Sequence, residues 1–155
     1  MLDLYDELRA LATSLDEEQI DYALCGGLAM AVYGAPRATV DIDLLLPGES
    51  VRRALAVVSE LGYTTEAAPM AFADGAVRIR RVRKIDPESK DVLTLDLLIV
   101  TPQTADVWQS RREVEWEGGT LWVVSREGLI ALKRLRGSGQ DLADIERLRE
   151  GLDAS

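Results

Sequence analysis

The segment between Cys25 and Asp43 restricts the fold more than any other part of this chain. A short apolar strand ends there in two glycines, a short helix follows, and a second strand carries Asp41 and Asp43. Because successive side chains of a strand point to opposite faces, these two carboxylates share one face. Neighbouring carboxylates repel each other unless a cation lies between them, and Mg2+ prefers oxygen ligands. The spacing therefore predicts a metal site on this strand.

Gly26 and Gly27 stand immediately before a helix predicted over Leu28–Tyr33. Backbone N–H groups at the start of a helix bind phosphate oxygens. Mg2+ often shares its coordination shell with the phosphates of a substrate. The glycine pair therefore predicts a phosphate site beside the metal site.

This pattern resembles the signature of the nucleotidyltransferase superfamily related to DNA polymerase beta. In that superfamily a Gly-Gly or Gly-Ser turn precedes an Asp-x-Asp pair, and a third carboxylate lies on a later strand. The form with Arg37 and Thr39 ahead of the two aspartates is most similar to the abortive-infection (AbiEii-type) toxin branch. Small aminoglycoside nucleotidyltransferases resemble a neighbouring branch. The resemblance implies Mg2+ (or Mn2+) as the cofactor and an NTP as the substrate.

Asp96 is the candidate for the third carboxylate, because it interrupts an apolar strand over Leu93–Val100. A charge in a strand that is buried on both faces is costly without a partner. The resemblance implies that Asp41, Asp43 and Asp96 hold the metal ions and that Asp96 also takes the proton of the acceptor. The alternative is a strand-end residue satisfied by backbone N–H groups.

The resemblance also implies further contacts to the nucleotide phosphates. Each of these residues could instead have a structural role. Arg37 and Thr39 either grip phosphate or fix the turn before the second strand. Lys133, on a predicted helix after Ser125, either contacts phosphate or belongs to a solvated basic face. The full set of proposed nucleotide-binding residues is Gly26, Gly27, Arg37, Thr39 and Lys133.

The composition limits the chemistry. The chain has no histidine and a single cysteine, Cys25, which reads as a small buried hydrophobic residue. Histidine-dependent triads and zinc sites of the His/Cys type are therefore excluded. Metal-assisted phosphoryl chemistry needs only carboxylates, basic side chains and the metal. The amino-terminal residues lack the pattern of a signal peptide, and no apolar run is long enough to span a bilayer, so we expect a cytoplasmic protein.

The net charge of −9 argues against nonspecific binding of nucleic acid, but one segment is strongly basic. Arg78–Lys84 reads as a strand whose alternation breaks at Arg81, which indicates a bulge. One interpretation is an edge strand that its charges protect from aggregation. The other is a rim that binds a triphosphate or an anionic acceptor.

The alternating pattern predicts a single α/β (α+β) domain over residues 1–155. Its core, about 20–125, is a mixed and mostly antiparallel sheet flanked by helices, and a small C-terminal helix pair follows over about 126–152. Short strands with a loop at Asp74-Gly75 are expected over residues 63–84 and a hairpin over 111–124. Ser50, Ser125 and Asp141 are the expected helix caps. The remaining predicted elements are a helix over 2–18, strands over 22–25 and 40–46, and helices over 51–61, 126–136 and 141–152.

The predicted activity is transfer of a nucleoside monophosphate from an NTP to an acceptor hydroxyl. A toxin-like enzyme would modify tRNA or protein and would have an antitoxin partner. An aminoglycoside-type enzyme would modify a small cationic molecule, which suits an acidic protein. A third alternative is a noncatalytic module for nucleotide binding or partner recognition, although a pure scaffold has no need of mutually repelling aspartates.

Overall fold

The computed structural model describes residues 2–153, with side chains as far as residue 150. Met1, Ala154 and Ser155 of the expected 1–155 unit lie outside the described residues. The strands are β1 Ala23–Cys25, β2 Asp41–Leu46, β3 Thr65–Glu66, β4 Met70–Phe72, β5 Val77–Ile85, β6 Val92–Ile99, β7 Arg112–Trp116 and β8 Gly119–Val123. The α-helices are α1 Leu4–Glu17, α2 Gly26–Val32, α3 Val51–Glu60, α4 Ala105–Gln109, α5 Arg126–Arg136 and α6 Gly139–Asp153.

Local signals explain where the main helices begin and end. Asp3 caps α1 by accepting hydrogen bonds from the N–H groups of Tyr5 and Asp6. Ser125 caps α5 as predicted, since its hydroxyl accepts from the Gly128 N–H. Gly137 ends that helix in the left-handed conformation with a φ of 65°.

Helix α2 begins at Gly26, two residues earlier than predicted. The structure differs from the local predictions at three further points. A 3-10 turn over Gly48–Ser50 precedes α3, and the Ser50 side chain makes no capping hydrogen bond. Helix α6 begins at Gly139 rather than at Asp141, because Ser138 and Asp141 cap it reciprocally through their side chains. The short helix α4 lies in a stretch for which no helix was predicted.

The strands within residues 2–153 form one mixed sheet in the order β3-β5-β6-β2-β1-β8-β7, with β4 also paired to β5. The β2–β6 and β1–β8 pairs are parallel, and the other described pairs are antiparallel. The sheet is therefore mixed and mostly antiparallel, as the sequence predicted. The aliphatic side chains of β2 and β6 lie at its buried centre, where Ile42, Leu44 and Leu97 have no exposed surface.

Strand β5 corrects the interpretation of the basic segment. It pairs with β6 on one side and with β3 and β4 on the other, so it is not an edge strand. Its pairing with β6 runs without interruption from Arg78 to Ile85, so the predicted bulge at Arg81 is absent. The basic side chains alternate between the two faces, and Arg80 and Lys84 pair with Glu66 and Glu7. The segment therefore presents no single basic rim.

None of the helices within residues 2–153 is long and apolar enough to cross a membrane.

Candidate active site

One row of paired residues crosses the centre of the sheet and brings the predicted carboxylates together. Cys25 on β1 pairs with Asp43 on β2, Asp43 pairs with Asp96 on β6, and Asp96 pairs with Arg81 on β5. Directly paired residues of neighbouring strands project from the same face. Asp41 lies on that face as well, two residues from Asp43 on the same strand. The fold therefore places all three predicted aspartates on one side of the sheet.

Burial and mutual repulsion act on these carboxylates together. Asp43 is 7% exposed and Asp96 is 3% exposed. Burial, and then the charge of Asp96, raise the pKa of Asp43 to about 7. The same two causes raise the pKa of Asp41. Carboxylates held in this way favour either a proton or a cation.

Arg81 partly compensates the charge of this cluster. Its Nε donates to Asp96 Oδ1 at 2.7 Å, and its Nη2 donates to Asp96 Oδ2 at 2.9 Å. This bidentate geometry is the strong form of an arginine–carboxylate pair. Asp96 thus has a side-chain partner rather than the backbone N–H groups of the alternative interpretation. The hydrogen bond and the charge of Asp96 raise the pKa of Arg81 further.

The two glycines lie against the carboxylate strand and the turn before it. Gly26 opens α2 with a φ of +68°, and its Cα faces the side chain of Asp43. A Cβ at Gly27 would lie 3.0 Å from Thr39 Oγ1 and 3.3 Å from Arg37 Nη2. No side chain caps the start of this helix. The predicted phosphate site and the predicted metal site are therefore contiguous in space.

A buried cluster around Asp144 joins two predicted phosphate contacts. The Asp144 side chain has no exposed surface, and its Oδ2 accepts from Lys133 Nζ at 2.8 Å and from Arg37 Nε at 3.0 Å. Gln140 donates to its second oxygen at 2.8 Å. Burial alone would raise the pKa of Asp144, but the hydrogen bonds from Lys133 and Gln140 and the nearby charges lower it. Helices α5 and α6 thereby hold the loop that carries Arg37.

Thr39 makes backbone contacts. Its hydroxyl lies 3.4 Å from the N–H and 3.5 Å from the carbonyl oxygen of Asp41. This geometry matches the alternative in which Thr39 fixes the turn before β2. The hydroxyl also lies 3.0 Å from the position that a Cβ at Gly27 would take.

The structure adds residues that the sequence did not assign to the site. Arg136 lines a small cavity with Cys25, Asp43 and Lys133, and its charge offsets part of the rise that burial and Asp96 cause in the pKa of Asp43. Arg136 shares a helix face with Lys133, which was the signal available in the sequence. Arg81 stands on the face of β5 that carries Val77 and Ile79. A strict alternation without a bulge would have placed it there.

The donor set fits a hard divalent cation. The three aspartates supply only oxygen ligands, which Mg2+ prefers, and repulsion within the cluster favours a cation between them. The chemistry of these ligands fits the cation, but their arrangement in this structure does not enclose one: among the side chains of residues 2–150, no group of three or more acidic, histidine or cysteine side chains is placed to hold a metal ion. Both oxygens of Asp96 are turned to Arg81.

Solved structures with this fold define the class of protein. A candidate nucleotidyltransferase from Thermotoga maritima superposes with a TM-score of 0.65 at 18% identity, over 97% of this chain and 93% of that one. The lincosamide antibiotic adenylyltransferase LnuA, bound to lincomycin, superposes with a TM-score of 0.59 at 16% identity, over 93% of this chain and 95% of that one. ANT(2'')-Ia in complex with adenylyl-2''-tobramycin superposes with a TM-score of 0.59 at 17% identity, over 94% of this chain and 87% of that one. The fold is that of the nucleotidyltransferases.

The family can be stated more narrowly. The profile of the nucleotidyl transferase AbiEii toxin family, described as a type IV toxin–antitoxin system, matches residues 8–153. The chain belongs to this family, and the expected resemblance is confirmed. No curated protein sequence matches the chain.

Proposed function

We propose that this protein transfers a nucleoside monophosphate from an NTP to an acceptor hydroxyl in a reaction that depends on Mg2+ (or Mn2+) and releases pyrophosphate. The observation that carries the proposal is the pairing of Asp43 with Asp96 across β2 and β6, with Asp41 on the same face. A scaffold gains nothing from repelling carboxylates at the centre of its sheet.

The residues have distinct roles in this proposal. Asp41, Asp43 and Asp96 would hold the metal, which supplies positive charge to the attacking and leaving oxygens of the transfer. Asp96 would also accept the proton of the acceptor hydroxyl, which is the role that the resemblance implies for the third carboxylate.

The nucleotide phosphates would lie along the glycine turn. The backbone of Gly26 approaches Asp43 without a side chain between them, and Gly27 lies against Thr39 and Arg37. Arg37 and Lys133 would neutralise phosphate charge from the helix side. A guanidinium carries five N–H donors and an ammonium three, so both keep donors beyond those that Asp144 engages.

We propose tRNA or protein as the acceptor class, with an antitoxin as partner and the cytoplasm as location. The family's description as a type IV toxin–antitoxin system supports this choice. A small-molecule acceptor is the second candidate. Two structural neighbours were solved with lincomycin or with adenylyl-2''-tobramycin, and the net charge of −9 would attract a cationic antibiotic.

One experiment separates these acceptors. The protein is incubated with Mg2+ and each α-labelled NTP in turn, together with total tRNA, with a bacterial lysate, or with kanamycin. Label in tRNA or in a protein band supports the toxin-like acceptor, and label in kanamycin supports the second candidate. The Asp41→Asn, Asp43→Asn double variant is the control. Label that this variant transfers as well as the unaltered protein would refute the assignment of the site.

A further inference from the structure

Arg81 occupies the position of a counter-ion at the candidate active site. It forms the bidentate contact with Asp96, and its own side chain remains 28% exposed while that of Asp96 is 4% exposed. Among the side chains described, those of residues 2–150, Asp96 is the one carboxylate paired with Arg81. The arginine therefore closes the solvent side of a buried carboxylate.

The arginine is the partner of this pair whose side chain reaches solvent. The backbone at Arg81 is held on both sides, because it pairs with Asp96 on β6 and its carbonyl accepts from the Ala67 N–H. Asp96 lies at the buried centre of the sheet, where the apolar side chains of Leu95 and Leu97 have no exposed surface. A guanidinium on a partly exposed stem can swing into solvent, whereas the Asp96 carboxylate is buried at 3% exposure.

We propose that Arg81 is a positioning residue that acts through Asp96: it holds both oxygens of that carboxylate and thereby weakens divalent-metal binding to the protein without nucleotide. This inference rests on the proposed function. A metal ion and the guanidinium compete for the same oxygens, and the positive charge of Arg81 also opposes a second cation nearby. Stable metal binding then requires further oxygen ligands, which NTP phosphates supply. Nucleotide and metal enter together.

Arg83 provides a matched control. It is the next residue of β5 on the same face, and like Arg81 its charge offsets part of the rise that burial and Asp96 cause in the pKa of Asp41. Its side chain makes no ion pair or hydrogen bond with the described part of the chain, residues 2–150. Removal of Arg83 therefore reports the general effect of losing one positive charge, without the release of Asp96.

The test measures Mn2+ binding in the absence of nucleotide, by the electron paramagnetic resonance signal of free Mn2+. We expect Arg81→Gln to bind Mn2+ at least about tenfold more tightly than the unaltered protein, and Arg83→Gln to differ by less than about threefold. In an Asp96→Asn background, Arg81→Gln should raise the Mn2+ affinity no more than Arg83→Gln does, because the carboxylate for which Arg81 and the metal compete is gone. Arg81→Lys should have a Mn2+ affinity between those of the unaltered protein and Arg81→Gln, because lysine cannot form the bidentate contact. If Arg81→Gln does not fold by circular dichroism, Arg81→Lys carries the comparison.

The outcomes separate this inference from the proposed function. Mn2+ affinity in Arg81→Gln that is no higher than in Arg83→Gln overturns the role of Arg81. A lower affinity also overturns it, because the arginine would then support the metal site. Arg81→Gln that binds Mn2+ equally well with and without the added Asp41→Asn and Asp43→Asn substitutions refutes the metal site itself, and with it the proposed function.

Discussion

The backbone of Gly26 lies directly against the carboxylate of Asp43. A Cβ at position 26 would fall 2.6 Å from Asp43 Cγ, and the glycine has a φ of +68° that other residues rarely adopt. The first turn of α2 and the carboxylate strand β2 are therefore in contact without any side chain between them. A substitution at position 26 should therefore have two separable effects, one from the positive φ and one from contact with Asp43.

Gly26→Ala should lose both stability and nucleotide binding. The positive φ alone costs about 1 kcal/mol, and the methyl group must also displace the Asp43 side chain. Gly75→Ala is the matched control, since Gly75 has a φ of +86° and nothing within 4 Å of its Cβ position. Urea unfolding should show a loss in both variants. The stabilisation of melting by Mg2+ and NTP should disappear in Gly26→Ala and persist in Gly75→Ala. Retention of that shift in Gly26→Ala would argue against a phosphate site here.

Asp96→Asn should separate chemistry from binding. Loss of a general base reduces turnover by about a hundredfold or more, while the glycine turn, Arg37 and Lys133 still hold the NTP. The measurements are NTP affinity by calorimetry and the rate of label transfer. An equal loss of affinity and turnover would make Asp96 an ordinary ligand or a folding residue.

The raised pKa of Asp43 predicts that the stability of the metal-free protein depends on pH. Its pKa is about 7 in the folded protein, against an ordinary value of 3.8. Between these values the folded state keeps a proton that the unfolded state has lost, so stability falls as pH rises from about 4 to 7 and then levels off. The slope from this group is at most about 1.4 kcal/mol per pH unit. Asp43→Asn should remove that decline in urea unfolding with EDTA between pH 5 and 8. Parallel curves for the two proteins would contradict the raised pKa.

Asp144→Asn should destabilise the protein through its partners. The substitution leaves the Lys133 ammonium buried without a countercharge, which costs about 3 kcal/mol. Adding Lys133→Met should recover part of the loss, because the unpaired charge is removed. Urea unfolding of the two single variants and the double variant measures this coupling. Additive losses would show that the ion pair contributes no interaction energy.

Local sequence patterns determined the elements and part of the candidate site. The strand period of two places Asp41 and Asp43 on one face, and the helical spacing of Leu8, Leu11 and Leu15 predicted α1. Ser125 and Gly137 mark the two ends of α5. These features depend on neighbours within a few residues, so the chain itself carries the information.

Tertiary structure decided which distant residues meet. The pairing of β2 with β6 places Asp96 beside Asp43, and the pairing of β6 with β5 places Arg81 on Asp96. The packing of α6 against α5 brings Asp144 to Lys133. No local period encodes these contacts, because strand order and helix packing follow from burying apolar surface across the whole sheet. The sequence alone determined the kinds of groups at the site, and the order of strands determined their partners.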